Sequence, residues 1–173
     1  MRMLKRIGIA AIGSSTAMGL ALSTVSHFEG KENAAYIDPV GVVTICYGHT
    51  GTAKIGQTHS DEQCQELLAN DLGDAFEAVD RYVDVDLPPS REAALASFVY
   101  NVGAGAFKRS TLLRKLNAGH VVEACNELSR WVYAGGKRLA GLVRRRAVER
   151  QLCLYEKPSG TLMAGSKDVS DDG

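Results

Sequence analysis

The sequence predicts an α+β domain that is mostly helical, with a small antiparallel β lobe and a helical lobe joined by one long helix. Three observations carry this. Val42-Val43-Thr44-Ile45-Cys46-Tyr47, nearly all strand-favouring, lies between turn signals at Asp38-Pro39 and Gly48. An apolar stripe at helical spacing follows at Cys64, Leu67, Leu68, Leu72, Phe76, Val79 and Val83, about six turns long. Shorter apolar segments come after it, separated by Pro88-Pro89, Gly103, Gly119 and Gly135-Gly136, the punctuation of several packed helices.

Composition limits the function. At 173 residues, 45% of them hydrophobic, the chain can fold as one domain with a sizeable core. Lys plus Arg and Asp plus Glu each number 20, which argues against a general polyanion binder. Aromatic residues are 6% with a single Trp, so no stacking platform for nucleic acid is expected. The expectation is a monomer with no nucleic-acid partner and no cofactor.

At the front, Arg2, Lys5 and Arg6 precede an uncharged run of 20 residues from Ile7 to Ser26. That length just spans roughly 30 Å of hydrocarbon. Only Ile7, Ile9, Ile12, Met18, Leu20, Leu22 and Val25 in it are bulky, so insertion is only marginally favourable. A cleaved signal peptide, a permanent anchor and a marginal anchor that later leaves the bilayer intact all fit. The basic start and the missing polar face count against a core helix. Each membrane reading puts the N-terminus in the cytoplasm and the body outside the inner membrane.

That compartment permits disulfides. Cys46, Cys64, Cys125 and Cys153 allow three pairings. Neighbour pairing closes the shortest loops and keeps each bridge within one half of the chain. There is no Cys-x-x-Cys spacing to point to metal.

Along the body, Ala34 to Thr50 reads as a hairpin or a three-stranded sheet. Ser60 with Gln63 forms a capping box that starts the long helix. Ser90 caps the next helix, which Gly103 and Gly105 stop. Ser110 starts a short helix closed by Gly119. Val121 to Val132 forms another, closed by Gly135-Gly136, and a last helix runs from Leu139 to Tyr155. Domain bounds follow: an N-terminal segment 1–26, a folded body 27–157, and a polar tail 158–173 with little to bury.

The chemistry lies between His27 and Thr50. Glu29 ends the first segment, Asp38 follows nine residues later in a turn, and Thr44 six residues after that on the strand. Cleaving an acetal needs one carboxyl that donates a proton and another that stays ionised to handle water or positive charge. By spacing alone, solvated surface acids fit equally well.

Glu29, Asp38, Thr44 and Gly48-His49 match in identity and spacing the catalytic segment of the phage-type lysozymes, glycoside hydrolase family 24, which the chain resembles. The resemblance continues in Phe98 to Asn117, Ser129 to Lys137 and Gly141 to Leu154. The weak front segment is similar to that of the signal-anchor-release endolysins of lambdoid phages. The resemblance implies a lysozyme-like fold and a peptidoglycan substrate, cut at the β-1,4 bond between N-acetylmuramic acid and N-acetylglucosamine. It also implies transient membrane tethering through residues 7–26, Sec export, and release to the periplasm on holin-type depolarisation.

Residue by residue, the resemblance makes Glu29 the general acid, protonated by burial among apolar neighbours. It makes Asp38 the carboxylate that handles water, and Thr44 the hydroxyl that orients it, with inversion at the anomeric carbon. His49 reads as a structural hydrogen-bonding group near the hinge. Among Arg144, Arg145, Arg146 and Arg150, otherwise surface groups, the resemblance implies that one arginine of 144–146 faces Glu29, without choosing which; Arg145 is carried as a substrate-binding or support residue. Tyr100 and Asn101, with Ser110 and Thr111, are expected on the cleft wall or in caps. Cys46 shares a strand face with Thr44, so a change in its bonding should deform the cleft. A lytic transglycosylase and a non-catalytic wall-binding module remain the alternatives.

Overall fold

The computed structural model describes residues 10–156, with side chains from Thr16 onward. Arg2, Lys5, Arg6 and the tail expected from 158 lie outside the described residues. The chain runs α1 (Ala10–Phe28), β1 (Glu32–Ile37), β2 (Val43–Cys46), α2 (Asp61–Tyr82), α3 (Pro89–Val102), α4 (Ala104–Lys108), α5 (Thr111–Asn117) and α6 (Val121–Glu127). A 3-10 turn (Leu128–Arg130), β3 (Tyr133–Ala134), β4 (Lys137–Arg138) and α7 (Ala140–Leu154) complete it.

α1 departs from the sequence expectation in its packing. Ala17, Ala21 and Val25, one turn apart, are fully buried against Leu68 and Leu72 of α2 and Ala93 of α3. Thr24 beside them is also buried, and its hydroxyl donates to the Leu20 carbonyl at 2.8 Å. Small side chains let helix axes approach closely, so a stripe poor in bulk still packs well. From Ala17 on, the segment is therefore part of the core. Among the described residues no helix is long and apolar enough to cross a membrane.

Of the two β arrangements open from sequence, the hairpin forms. β1 and β2 pair antiparallel with Tyr36 opposite Thr44 and Ile37 opposite Val43. The turn closes through Asp38 N–H to Val42 O and Gly41 N–H to Asp38 O, at 2.9 and 3.0 Å. The lobe is thin: Ile37 and Val40 are exposed, and Ile45, Cys46 and Cys64 form its buried seam. A disulfide from Cys46 to Cys64 ties β2 to α2.

α2 begins as its sequence says. The Ser60 hydroxyl accepts from Gln63 N–H, and the Gln63 side chain accepts from Ser60 N–H. Its buried face runs Cys64, Leu68, Leu72, Ala75, Ala78 and Val79, so the same helix carries the β lobe at one end and the helical lobe at the other. α3 is the central helix, with Ala93 to Val99 all buried. In the helical lobe, Phe98 meets Phe107 and Trp131 edge-on at 6.4 and 5.1 Å, and Cys125–Cys153 joins α6 to α7. Both bridges thus pair neighbours.

Three boundary expectations are corrected. Pro88 is the N-cap of α3 with Pro89 in its first turn, and Ser90 lies inside, donating to Tyr155 O at 2.9 Å; proline suits a first turn that has no use for its missing N–H. Gly103 ends α3, but Gly105 lies within α4. The helix from Val121 ends at Glu127 and tightens into the 3-10 turn, and Gly135-Gly136 turns the small β3–β4 hairpin. Both glycines have positive φ, 55° and 75°, which suits a tight hairpin turn.

Close packing of α1 makes a direct prediction. Ala21→Leu adds bulk where Ala21 is 0% exposed, and is expected to lower unfolding free energy by about 1–3 kcal/mol, read from urea titration.

Candidate active site

Glu29 sits one turn past Val25, its N–H donating to the Val25 carbonyl at 2.9 Å, so the packing of α1 fixes its backbone. Its side chain is 27% exposed, and the carboxylate Oε1 accepts from Nη1 of Arg145 on α7. This corrects the expectation of apolar neighbours: the group that meets the Glu29 carboxylate is a buried guanidinium. Arg145 is the arginine of its helix that meets Glu29.

Arg145 is itself fully engaged. Its Nε donates to Glu149 Oε1 at 3.0 Å and its Nη2 to the Ser97 carbonyl at 3.1 Å. Arg146, expected at the surface, is 1% exposed. It donates to Glu149 Oε2, to Asn101 Oδ1, and to the Trp131 carbonyl at 3.1 Å, with its guanidinium 4.9 Å from the centre of the Phe98 ring. Burial lowers the Arg146 pKa from its ordinary value, while the Glu149 carboxylate works the other way. Glu149 is fully buried and also accepts from the Ser97 hydroxyl at 2.7 Å. Arg144, by contrast, is exposed.

Glu29 opens into a cavity of about 550 Å³ lined by Tyr47, Gly48, His49, Thr50 and Gly51 from the β lobe, Asp71, Asp74 and Ala75 from α2, and Val99, Tyr100, Asn101 and Ala104 from the α3–α4 region. The Tyr100 hydroxyl donates to Tyr47 O at 2.8 Å, joining α3 to the β-lobe wall. Burial raises the Tyr100 pKa, with the Asp71 and Glu29 charges adding to it, so the phenol remains a donor. His49 lies between Asp71, 2.8 Å from Nδ1, and Thr52, whose N–H reaches Nε2 at 3.0 Å. A backbone donor at Nε2 places the ring proton on Nδ1, where it donates to Asp71. His49 therefore fastens the wall to α2.

Asp38 and Thr44 stand on the β1–β2 hairpin, outside the lining of that cavity. Asp38 Oδ1 accepts from Val40 and Val42 N–H at 2.9 and 2.8 Å, an arrangement that fixes the carboxylate and leaves Oδ2 free of those two bonds. Thr44 is 5% exposed, and its hydroxyl donates to Val42 O at 3.1 Å. Cys46, two residues on, has φ of 59°, a left-handed conformation that ends β2 and starts the turn carrying Tyr47 to His49. Ser110 caps α5 through Leu113 N–H. Among the described residues no cluster of His, Cys, Asp or Glu has the makings of a metal site.

Sequence reasoning missed Asp71 and Glu149, and it named Arg146 without its burial. For Glu149 a signal existed: it stands three and four residues after the two arginines, the spacing at which helical side chains meet. For Asp71 no local pattern pointed to His49.

Residues 26–149 match the phage lysozyme family model. A SAR-endolysin of bacteriophage PS119 is 50% identical over 130 residues, covering 75% of this chain and 78% of that protein. The SAR-endolysin of enterobacteria phage P21 is 44% identical over 156 residues, 87% of this chain and 94% of that one. Among solved structures, the muramidase domain of SpmX from Asticaccaulis excentricus superposes with a TM-score of 0.74 at 36% identity, covering 79% of this chain and 95% of that domain.

The contact between Tyr100 and Tyr47 yields a test. Tyr100→Phe strands a partly buried carbonyl, and is expected to cost about 1–3 kcal/mol in the urea transition.

Proposed function

The chain belongs to the phage lysozyme family and is a glycoside hydrolase of the lysozyme type; from that premise we propose that it hydrolyses the β-1,4 bond between N-acetylmuramic acid and N-acetylglucosamine in peptidoglycan, to lyse the bacterial host. The observation that carries the assignment of roles is the Glu29 carboxylate at the edge of the cleft, held there by a buried guanidinium.

In this reading Glu29, in its protonated form, gives its proton to the bridging oxygen as the bond to the anomeric carbon breaks. Positive charge then spreads over that carbon and the ring oxygen. Asp38 stays ionised, takes the proton of the incoming water and faces the developing charge, while the Thr44 hydroxyl orients that water. Attack from the face opposite the leaving group inverts the anomeric carbon, the outcome expected when two carboxyls stand roughly 6.5–9.5 Å apart with a water between them. The two backbone donors on Asp38 Oδ1 support its role, because they hold one carboxylate oxygen still.

Export and regulation belong to the same proposal. Residues 1–26 act as a signal-anchor-release segment that takes the domain through the Sec machinery to the periplasm, tethered by residues 7–26 until holin-type depolarisation frees it. Relatives named SAR-endolysins support this, as does the packing of α1. Ala17, Ala21 and Val25 cannot be in lipid and against Leu68, Leu72 and Ala93 at once. Insertion therefore leaves a core face uncovered and pulls Glu29 away from Arg145, so the tethered form is inactive.

Three results test these proposals. Glu29→Gln is expected to lower kcat by about 10²–10⁴, with circular dichroism confirming that the variant is folded at the assay temperature. Mass spectrometry of wild-type digests should show reducing N-acetylmuramic acid ends; anhydro-muramyl ends would reassign the chain as a lytic transglycosylase. Separately, protein held in membranes should be inactive on purified cell wall and regain activity on extraction. Equal activity of the two forms removes tethering as the control.

A further inference from the structure

Glu149 has no part in the proposed reaction, yet it is a fully buried carboxylate in direct contact with the guanidinium that holds Glu29. Its Oε1 faces Arg145 Nε at 3.0 Å and the Ser97 hydroxyl at 2.7 Å, and its Oε2 faces Arg146. Arg145 and Arg146 are 3% and 1% exposed. Two neighbouring buried cations need anions beside them, because a desolvated unpaired charge is strongly unfavourable. Glu29 and Glu149 are those anions.

The charge count of this cluster has a chemical consequence. With Glu29 ionised, two guanidiniums face two carboxylates and the cluster is neutral. Donation to a sugar oxygen requires Glu29 to bind a proton first, which leaves the cluster with one net positive charge. If Glu149 were uncharged, the same protonation would leave two, and the full attraction of Arg145 would fall on Glu29. The proton would then be lost at a lower pH.

We propose that Glu149 is a positioning residue for the reaction: by dividing its two oxygens between Arg145 and Arg146, it lets Glu29 hold a proton beside a buried guanidinium. The inference rests on the reading of Glu29 as the acid. Other charged or titratable groups share the surroundings of Glu29: Tyr100 on α3, Asp71 and Asp74 on α2, and His49 after β2. On its own segment, His27 is exposed and Lys31 is paired with Asp61 at 2.6 Å. None of these is altered in the test, so their contribution is constant.

The test is the pH dependence of kcat/KM on peptidoglycan, measured with the released protein and three variants. The limb that falls at high pH reports loss of the proton from the acid. Glu149→Gln should move that limb to lower pH by about one to three units. Arg146→Met, which removes a cation, should move it to higher pH. Arg146→Met with Glu149→Gln removes one charge of each sign and should bring the limb back to within about half a unit of wild type. A purely structural role for Glu149 gives no such pattern of signs. If Glu149→Gln does not fold, the upward shift in Arg146→Met and the restored limb in the double variant still decide. Limbs that stay in place, or move the same way in both single variants, overturn the proposal. Glu29→Gln, assayed alongside, separates the two failures: full turnover there overturns the acid reading itself, whereas an inactive Glu29→Gln with unmoved limbs overturns only the role given to Glu149.

Discussion

The contact between Glu29 and Arg145 joins residues 116 apart in sequence, and much of the helical lobe is arranged around it. An anion at the end of α1 meets a cation rising from α7, and that cation is almost wholly removed from water. Once Arg145 is buried it needs Glu149, and Glu149 in turn gathers Arg146 and Ser97. Arg146 reaches on to Asn101 and the Trp131 carbonyl. One ionic contact thus recruits the end of α3, the start of the β3–β4 hairpin and the first half of α7. Among the described residues no buried side-chain nitrogen or oxygen is left without a partner, as a polar network inside a core requires.

The β lobe is held in a different way. It has little core of its own, so its position depends on a few fasteners: the Cys46–Cys64 bridge to α2, the His49 ring against Asp71, and the Tyr100 hydroxyl on the Tyr47 carbonyl. All three attach to the stretch from Cys46 to His49, which forms one wall of the cleft. The left-handed backbone at Cys46 is held in place by a covalent bond at the same residue. Strain of this kind persists only where surrounding contacts enforce it, and here it directs the wall toward α2 and α3.

α1 links the two arrangements. Its alanines provide close contact with α2 and α3, and its final turn supplies the backbone acceptor for Glu29. The lack of large side chains along this stripe makes the segment a good partner for packed helices. Bulk added to it would disfavour the fold.

The local elements could be read from the residues because their causes are local. The Ser60–Gln63 box, the stripe from Cys64 to Val79 and the strand at Val43 to Cys46 need no distant partner to be recognised, whereas Glu29, Asp38 and Thr44 stood out only through the family resemblance. Of the three cysteine pairings open from the residues, the fold forms the two bridges between neighbours. What the residues alone left undecided was which side chains lose their water. Arg146 and Glu149 on a highly charged helix look like solvent groups until α3 and the end of α1 close over them. Ala17 and Ala21 belong to a stripe whose packing partners, Leu68, Leu72 and Ala93, only the structure reveals. Ser90 looks like a cap until Tyr155 comes within reach, and Gly135-Gly136 like a helix stop until Tyr133 pairs with Arg138. Backbone conformation is set within a few residues, but burial is a property of what arrives from elsewhere in the chain. The chemistry of an ionised side chain depends on burial, so only the tertiary structure decided which charges surround Glu29.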